Sequence, residues 1–260
     1  MAYGWWDSGC SLSESRSGQT VTLTLSGTAR YGDSGSRSWS FRLYKNGSAT
    51  STYFTGYSTT GGSYGTAVFS GSSVTYTLSG SDIGTTVSFR VVGTCNGDPF
   101  FTESDGYPVP TASISVPSAS VSWASGASIT AVPTNDLKVK VTRTKAASVG
   151  GGYSGTVYYR VWCESTRKNN DGDPGSTWTV TPNSLDTELT YKVQAYAVVW
   201  GRTFTSSTLT AKATVESGNY LSYYNGSQWI KCKAFYYTGT QWKECKPYYY
   251  NGSQWVECSS

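Results

Sequence analysis

The C-terminal part of the chain presents the same ring and amide side chains three times. The copies are the thirteen-residue stretches Ser222–Ala234, Phe235–Pro247 and Tyr248–Ser260. Each copy has two tyrosines, a glycine, a glutamine, a tryptophan and a cysteine at equivalent positions. Aromatic side chains with a polar group beside them favour ligand recognition over bond-breaking chemistry. The candidate ligand-binding residues are Tyr223, Gln228, Trp229, Tyr236, Gln241, Trp242, Tyr249, Gln254 and Trp255.

A β-hairpin is the element that must position these side chains in each copy. Asn-Gly, at 225–226 and 251–252, is the strongest short signal of a type I′ turn, because both residues tolerate a positive φ. Thr238-Gly239 in the middle copy is a weaker signal. Strict repetition of such a unit indicates a stacked array.

The expected register of the middle copy follows from a two-residue turn. Tyr236 then lies opposite Gln241, and Phe235 lies opposite Trp242. Side chains alternate along strands, so Phe235, Tyr237 and Trp242 share one face. The other face is expected to carry Tyr236, Gln241, Lys243 and Cys245.

Two interpretations of the tryptophan face remain open. The rings either form the core of a thin sheet, which is the favoured interpretation, or an exposed platform on which sugar rings stack. A segment this small needs a covered face to fold, either on the rest of the chain or on a neighbouring subunit. The better candidates for ligand contact are Tyr223, Tyr236 and Tyr249, each with the glutamine of its own copy.

The composition predicts an all-β chain. Its 260 residues suggest about two domains, aromatic residues make up 15% and glycine contributes 29 residues. Such residues favour strands and turns. No segment carries apolar residues at helical spacing over the length of a helix.

The first domain is predicted at 17–110, after a lead-in at 1–16. Strict apolar alternation predicts strands, and turn signals between them suggest a sandwich. The stretch 77–91, with Asp82 and Gly84 before an alternating strand, resembles the E–F corner of immunoglobulin-like domains. The expected strands are Thr20–Leu25, Ser38–Tyr44, Val74–Leu78 and Val87–Val91.

The second domain is predicted at 111–217, after the proline-containing segment 107–110. Leu185, Tyr191 and the alternating apolar residues that follow resemble the fibronectin type III signature. The predicted fold is therefore two immunoglobulin/fibronectin III-like β-sandwiches followed by a β-hairpin repeat array at 218–260. The expected strands of the second domain are Ser118–Trp123, Leu137–Thr142, Thr156–Cys163, Thr177–Val180, Thr190–Val199 and Thr208–Val215.

The residue types argue against an enzyme. The chain has no histidine, which excludes Ser-His-Asp and Cys-His nucleophile systems and most zinc sites. It has no phosphate-binding glycine motif. The loop 169–174 offers several oxygen ligands for calcium, but it lacks the glutamate of an EF-hand, and a solvated turn is the favoured interpretation. No cofactor and no metal are expected.

The cysteines are expected to be free thiols. If each copy is a separate hairpin, equivalent cysteines lie two strands apart, at about 9–10 Å. A disulfide needs Cα atoms closer than about 7 Å. A zinc site is disfavoured, because CxxC spacing is absent. The six cysteines are Cys10, Cys95, Cys163, Cys232, Cys245 and Cys258.

Net charge and hydropathy argue against two classes of partner, nucleic acid and a membrane. The formal net charge is +4, only 14% of residues are charged and the basic residues are scattered, so nucleic acid is not an expected partner. No apolar run is long enough for a membrane span. The N-terminal residues lack the basic start and apolar core of a secretory signal. Assembly in a cytoplasm is the expectation, and a removed export signal is the alternative.

The repeat resembles C-terminal tandem motifs of the form YNGSxWxxxxP in phage and prophage virion proteins. It is also loosely similar to choline-binding and other cell-wall-binding repeats, without their full pattern, so choline binding is not implied. The resemblance implies a non-enzymatic structural or adhesion protein of a bacteriophage tail, fibre or capsid decoration, located in the virion. Its expected partners are other virion proteins, copies of itself, with a trimer usual for a fibre, and a surface glycan.

Two alternatives to this function stay open. One is a bacterial carbohydrate-binding module at the cell surface or outside the cell. The other is an oligomerisation module, in which the repeats join subunits through open sheet edges.

Overall fold

The computed structural model describes most of the chain as β-structure. It describes residues 3–32, 35–61, 64–101, 105–217, 220–224, 226–227, 229–245, 248–250 and 253–257. Within these ranges, the regular elements are strands in several sheets, apart from one 3-10 turn at Gly80–Asp82. The prediction of an all-β chain is confirmed.

The first ten strands form two five-stranded sheets. One sheet has the order β1-β3-β7-β6, with β2 also paired to β3, and the other has the order β10-β8-β4-β5, with β9 paired to β8. The strands are Gly4–Trp6 (β1), Ser11–Ser17 (β2), Thr20–Tyr31 (β3), Trp39–Lys45 (β4), Ser48–Tyr53 (β5), Ser58–Thr60 (β6), Gly65–Thr77 (β7), Thr86–Cys95 (β8), Asp98–Pro99 (β9) and Thr111–Ser115 (β10).

Alternating apolar side chains from both sheets meet in one core. In β3, Val21, Leu23 and Leu25 are completely buried, while the intervening threonines are only partly buried. Phe41 of β4 and Phe89 of β8 approach the same cluster from the other sheet. This is the pattern that a two-sheet sandwich requires, because each strand has one face in the core and one face outward.

The ends of this sandwich differ from the sequence-based boundaries. The predicted lead-in 1–16 contains β1 and β2, which both pair with β3, and its Trp6 and Leu12 belong to the core. The predicted boundary after residue 110 precedes β10, which pairs with β8, and Val116 beyond β10 is also in the core. The strands β2 and β10 are rich in serine or threonine, so alternation of apolar residues does not reveal them.

The middle of the chain forms three further sheets. Their orders are β11-β14, β12-β13-β17 and β16-β15-β18-β19. The strands are Ser120–Trp123 (β11), Ile129–Pro133 (β12), Val139–Arg143 (β13), Ala147–Gly150 (β14), Tyr158–Cys163 (β15), Thr166–Arg167 (β16), Thr177–Val180 (β17), Glu188–Val199 (β18) and Arg202–Thr214 (β19).

Aromatic contacts link two of these sheets. Tyr159 of β15 packs against Trp178 of β17, with ring centroids 5.8 Å apart. Trp123 stacks on Tyr159 from another side at 5.6 Å, and the guanidinium of Arg143 lies 4.4 Å from the centre of the same ring. Tyr159 is thus a central packing residue of this part of the chain.

The C-terminal repeats form two small sheets. One has the order β20-β21-β22 and the other pairs β23 with β24. The strands are Tyr220–Tyr224 (β20), Trp229–Tyr237 (β21), Trp242–Cys245 (β22), Tyr248–Tyr250 (β23) and Trp255–Glu257 (β24).

Backbone contacts divide the chain into two compact units. The first comprises Met1–Ser122, Ser148–Val157 and Tyr196–Ser206. The second comprises Trp123–Ala147, Tyr158–Ala195 and Ser207–Ser260.

Two later segments of the chain thus belong to the first unit. One of them is anchored there by the Tyr153 hydroxyl, which donates a hydrogen bond to the Pro117 carbonyl at 2.7 Å. Gly151 has φ +80, and a Cβ on it would lie 1.9 Å from the Ser118 carbonyl oxygen. Only glycine therefore fits at that position.

Candidate functional site

The middle repeat is a hairpin with a four-residue connection rather than the expected two-residue turn. Tyr237 lies directly opposite Trp242, so 238–241 form the loop. The Thr238 amide donates to the Gln241 carbonyl at 2.9 Å, and the Gln241 amide donates to the Thr238 hydroxyl at 3.2 Å. The predicted register is therefore wrong by two residues, because the threonine hydroxyl stabilises a longer loop.

The outer copies have the same register. Tyr224 lies opposite Trp229, and Tyr250 lies opposite Trp255. A tyrosine–tryptophan pair thus closes each hairpin. The sequence-based pairing of a tyrosine with a glutamine is replaced in all three copies by the pairs Tyr223–Ile230, Tyr236–Lys243 and Tyr249–Val256.

The two glutamines of the predicted site that the structure describes do not lie in strands. Gln241 is an exposed member of the loop. Gln254 lies in a bend before β24 and is exposed. Gln228 lies outside the described residues.

The tryptophan face of the middle hairpin is exposed. The register places Phe235, Tyr237 and Trp242 on one face, as predicted. Their exposed fractions are 52%, 55% and 69%, so the favoured interpretation of this face as a sheet core is wrong. The Tyr237 and Trp242 rings lie 5.3 Å apart and are inclined at 48°. Both rings are accessible to solvent, and a ligand with a flat apolar face could stack on either of them.

The opposite face of the same hairpin is mixed in character. Tyr236 is 51% exposed and lies across from Lys243, which is also exposed. Cys245 is half-buried. The hairpin therefore offers exposed ring surface on both faces.

The first two copies are not separate hairpins. The strand β21 runs without a break from Trp229 to Tyr237, so it serves the second half of one copy and the first half of the next. Consequently β20 and β22 are the edge strands of a three-stranded sheet. Cys232 and Cys245 lie in neighbouring strands, not two strands apart as predicted.

The described cysteines with placed side chains are free thiols, as expected for them. They are Cys10, Cys95, Cys163 and Cys245. Burial raises the pKa of the Cys10 thiol, which donates to the Thr28 carbonyl at 3.3 Å.

A second aromatic surface lies in the first unit, and the sequence analysis did not anticipate it. We call it the ring cluster. Its contacts run from Tyr3 to Trp5 at 5.4 Å, from Tyr3 to Phe101 at 5.2 Å, and from Phe101 to Tyr107 at 5.0 Å in a nearly parallel stack. Trp5 also meets Tyr64 edge-on at 6.1 Å. Each ring is partly or largely exposed. The aromatic-rich N-terminal sequence was the signal that could have indicated it.

The oxygen-rich loop 169–174 is occupied by internal hydrogen bonds. The Asp173 carboxylate accepts from the Trp178 indole at 2.7 Å and from the Gly175 amide at 2.8 Å. Asp171 is paired with Arg167 at 2.7 Å. Among the described residues, no cluster of histidine, cysteine or acidic side chains has metal-site geometry. The carboxylates of Asp171 and Asp173 in this loop therefore already have partners within the chain.

No protein-family model matches the chain, and no curated protein matches it. A solved structure, "Crystal structure of domains A168-A170 from titin", is similar at a TM-score of 0.29 and 11% sequence identity, covering 83% of this chain and 100% of that chain. None of the described segments forms a helix with the length and apolar character that a bilayer span requires.

Proposed function

We propose that this chain is a non-enzymatic attachment protein of a bacteriophage particle that binds a surface glycan through its C-terminal repeats. One observation carries the attachment role. Phe235, Tyr237 and Trp242 share one face of a hairpin and are each more than half exposed. Large rings are rarely left in solvent together unless the surface has a ligand or partner. The particle itself is proposed from the resemblance of the repeats to phage virion proteins.

The proposed architecture is two immunoglobulin/fibronectin III-like sandwiches that carry the repeat array. The first sandwich has the sheets β1-β3-β7-β6 and β10-β8-β4-β5. In chain order this corresponds to strands ABED against C′CFG, the arrangement of immunoglobulin-type domains. The sheets β12-β13-β17 and β16-β15-β18-β19 support a similar assignment for the second sandwich.

Glycan binding is tested on the full chain with variants that separate the two faces of the middle hairpin. We expect Trp242→Ala and Tyr237→Ala to abolish retention on a glycan array. Tyr236→Ala, at a ring of similar exposure on the opposite face, should retain binding. Val132→Ala, an exposed apolar position in β12, is the control for unspecific loss of surface.

Each result has a distinct meaning. Loss of binding in Tyr236→Ala, with binding retained in Trp242→Ala and Tyr237→Ala, would move the site to the opposite face that the sequence favoured. Selective binding that survives both Trp242→Ala and Tyr237→Ala would reject the tryptophan face as the glycan site. If no glycan is retained, the attachment proposal fails and an assembly role takes its place.

The virion assignment needs a separate test. Antibodies against the repeats should label intact particles of the phage that encodes the chain, and mass spectrometry of purified particles should detect it. Its absence from particles would leave the bacterial carbohydrate-binding module as the better proposal.

A second candidate function is self-assembly through the repeats. The strands β20 and β22 are edges of a three-stranded sheet, and β23 and β24 form a sheet with two edges. Exposed edges are templates for pairing with another chain. Molar mass in solution tests this function. A multimer of the full chain that becomes a monomer after removal of 218–260 supports it, and an unchanged mass rejects it.

A further inference from the structure

The outer face of one sheet of the first sandwich is cationic and aromatic. The strands β4, β5, β8 and β10 contain no aspartate or glutamate, and they place Arg42 and Arg90 on this face. Lys45 lies on the other face of β4, where it pairs with Asp82. The guanidinium of Arg90 lies over the Tyr44 ring, 5.3 Å from its centre. The guanidinium of Arg42 lies over the Tyr53 ring at 5.4 Å. An anionic ligand is the complement of such a face.

Arg90 also lines a cavity of about 140 Å³. Tyr44, Val92, Phe101 and Val109 contribute to its walls. Cavities that hold drug-sized ligands measure roughly 300–1,000 Å³, so this one suits a single terminal group of a larger ligand. We call it the Arg90 pocket.

The floor of the Arg90 pocket is rigid. Phe100 is buried there and packs on Trp6 at 5.8 Å. A Cβ on Gly93 would lie 2.7 Å from the Phe100 ring, and one on Gly4 would lie 2.3 Å from it. Two glycines therefore allow the ring to sit against the backbone. A pocket with such a floor is preorganised and does not form only when a ligand arrives.

The charge of Arg90 is available to a ligand. Its side chain is exposed, and no carboxylate of the described residues forms an ion pair with it. Arg42 differs, because its Nε donates to the Thr50 carbonyl at 2.5 Å. Arginine binds carboxylates with two parallel hydrogen bonds, so a carboxylate is a well-matched group for the pocket.

The ring cluster continues from the pocket. Phe101 belongs to both, and Tyr107 stacks on Phe101 at 5.0 Å with an interplanar angle of 16°. A ligand whose terminal carboxylate meets Arg90 can therefore lay its next unit on an aromatic surface. A saccharide with acidic sugars has both parts, a carboxylate and apolar ring faces.

We propose that the Arg90 pocket and the adjoining ring cluster bind a carboxylate-bearing saccharide, with Arg90 holding the carboxylate and Phe101 and Tyr107 stacking against sugar rings. This site is separate from the repeats. The first unit would thus carry a saccharide-binding site of its own, and this proposal does not depend on whether the repeats bind a glycan.

The test is calorimetric titration of the full chain with glucuronate and with a short oligomer of glucuronic acid. Glucose and a neutral glucose oligomer of equal length are the matched ligands. We expect binding of the acidic ligands only, weakening as salt is added. Arg90→Gln should weaken binding by about tenfold or more, as expected when a charged hydrogen-bond donor is lost. Arg42→Gln, on the same face but outside the pocket, is the control.

Tyr107→Ala separates the two parts of the site. It should weaken binding of the oligomer and leave binding of glucuronate unchanged. Trp242→Ala should change neither, which keeps this site distinguishable from the repeats. Melting curves that match the wild type verify that the exposed positions are tolerated.

Four results would overturn the proposal. They are equal binding of neutral and acidic oligomers, binding unaffected by Arg90→Gln, tighter binding of a single-stranded oligonucleotide of equal charge, and no binding of either acidic ligand. The third would make the surface a nucleic-acid site.

Discussion

The ammonium group of Lys45 lies 2.6 Å from the carboxylate of Asp82, which is 3% exposed. This ion pair joins the end of β4 to the turn that precedes β8. The second carboxylate oxygen of Asp82 accepts from the Ser79 amide at 2.8 Å and from the Ser79 hydroxyl at 3.0 Å. A buried carboxylate with all its partners in place holds the turn in one conformation.

Asp82→Ala should destabilise the protein by about 3 kcal/mol, because it leaves the Lys45 charge without its partner in a largely buried position. Urea unfolding measures the effect as a lower midpoint. Asp136→Asn, at an exposed ion pair with Lys138, should leave the midpoint unchanged. Equal effects of the two substitutions would show that burial does not govern the strength of these pairs.

Stability should fall in acid. Desolvation acts to raise the pKa of Asp82, but hydrogen bonds from Lys45 and Ser79 outweigh it and the pKa is lowered. The stabilising contribution is therefore fully present above the ordinary carboxyl pKa of about 3.9 and is lost as pH falls through the folded-state value. Thermal melts from neutral pH downward should be flat at first and then fall. Asp82→Asn should reduce the acid-dependent part of the fall, and an unchanged profile would contradict the assignment.

Alkaline conditions should destabilise the protein through Tyr191. Burial raises the pKa of its hydroxyl, and the neighbouring Cys163 raises it further. A raised folded-state pKa means that stability is complete below the ordinary tyrosine pKa of about 10 and is lost above it, where only the unfolded state ionises readily. Tyr191→Phe should unfold at higher pH than the wild type. The buried hydroxyl has no hydrogen bond of ordinary geometry to a described residue, so this change should cost little at neutral pH.

Calcium should not bind the loop 169–174. The Asp173 carboxylate already accepts hydrogen bonds from Asn169, Gly175 and Trp178, which lower its pKa although desolvation acts to raise it. Titration calorimetry with calcium should give no binding heat, and a chelator should not change the melting temperature. Trp178→Phe should lower the melting temperature, because it removes one donor from a partly buried carboxylate. A calcium-dependent increase in melting temperature would reverse this interpretation.

Much of the fold can be predicted from the sequence. Alternation of apolar residues identifies β3, β4, β8 and β18, because their buried faces carry a clear period of two. The serine- and threonine-rich strands β2 and β10 escape this signal, and with them the limits of the first sandwich. Their place depends on backbone pairing with β3 and β8, which no local pattern records.

The candidate sites divide in the same way. The repeats are evident in the sequence. Alternation correctly places Phe235, Tyr237 and Trp242 on one face of the middle hairpin. Their exposure is a tertiary property, because a face is buried only if another element covers it. The Arg90 pocket is wholly tertiary, since its walls come from residues as distant as Tyr44 and Val109.

The sequence by itself determined that this chain is built from strands, that its residues 222–260 repeat an aromatic motif and that it contains no histidine. The tertiary structure alone decided the hairpin register, the exposure of the rings and the placement of Arg90 and Phe101 at one pocket. The reason is physical. Strand periodicity is a local property of the backbone, whereas register and exposure depend on hydrogen bonds and packing between segments far apart in the chain.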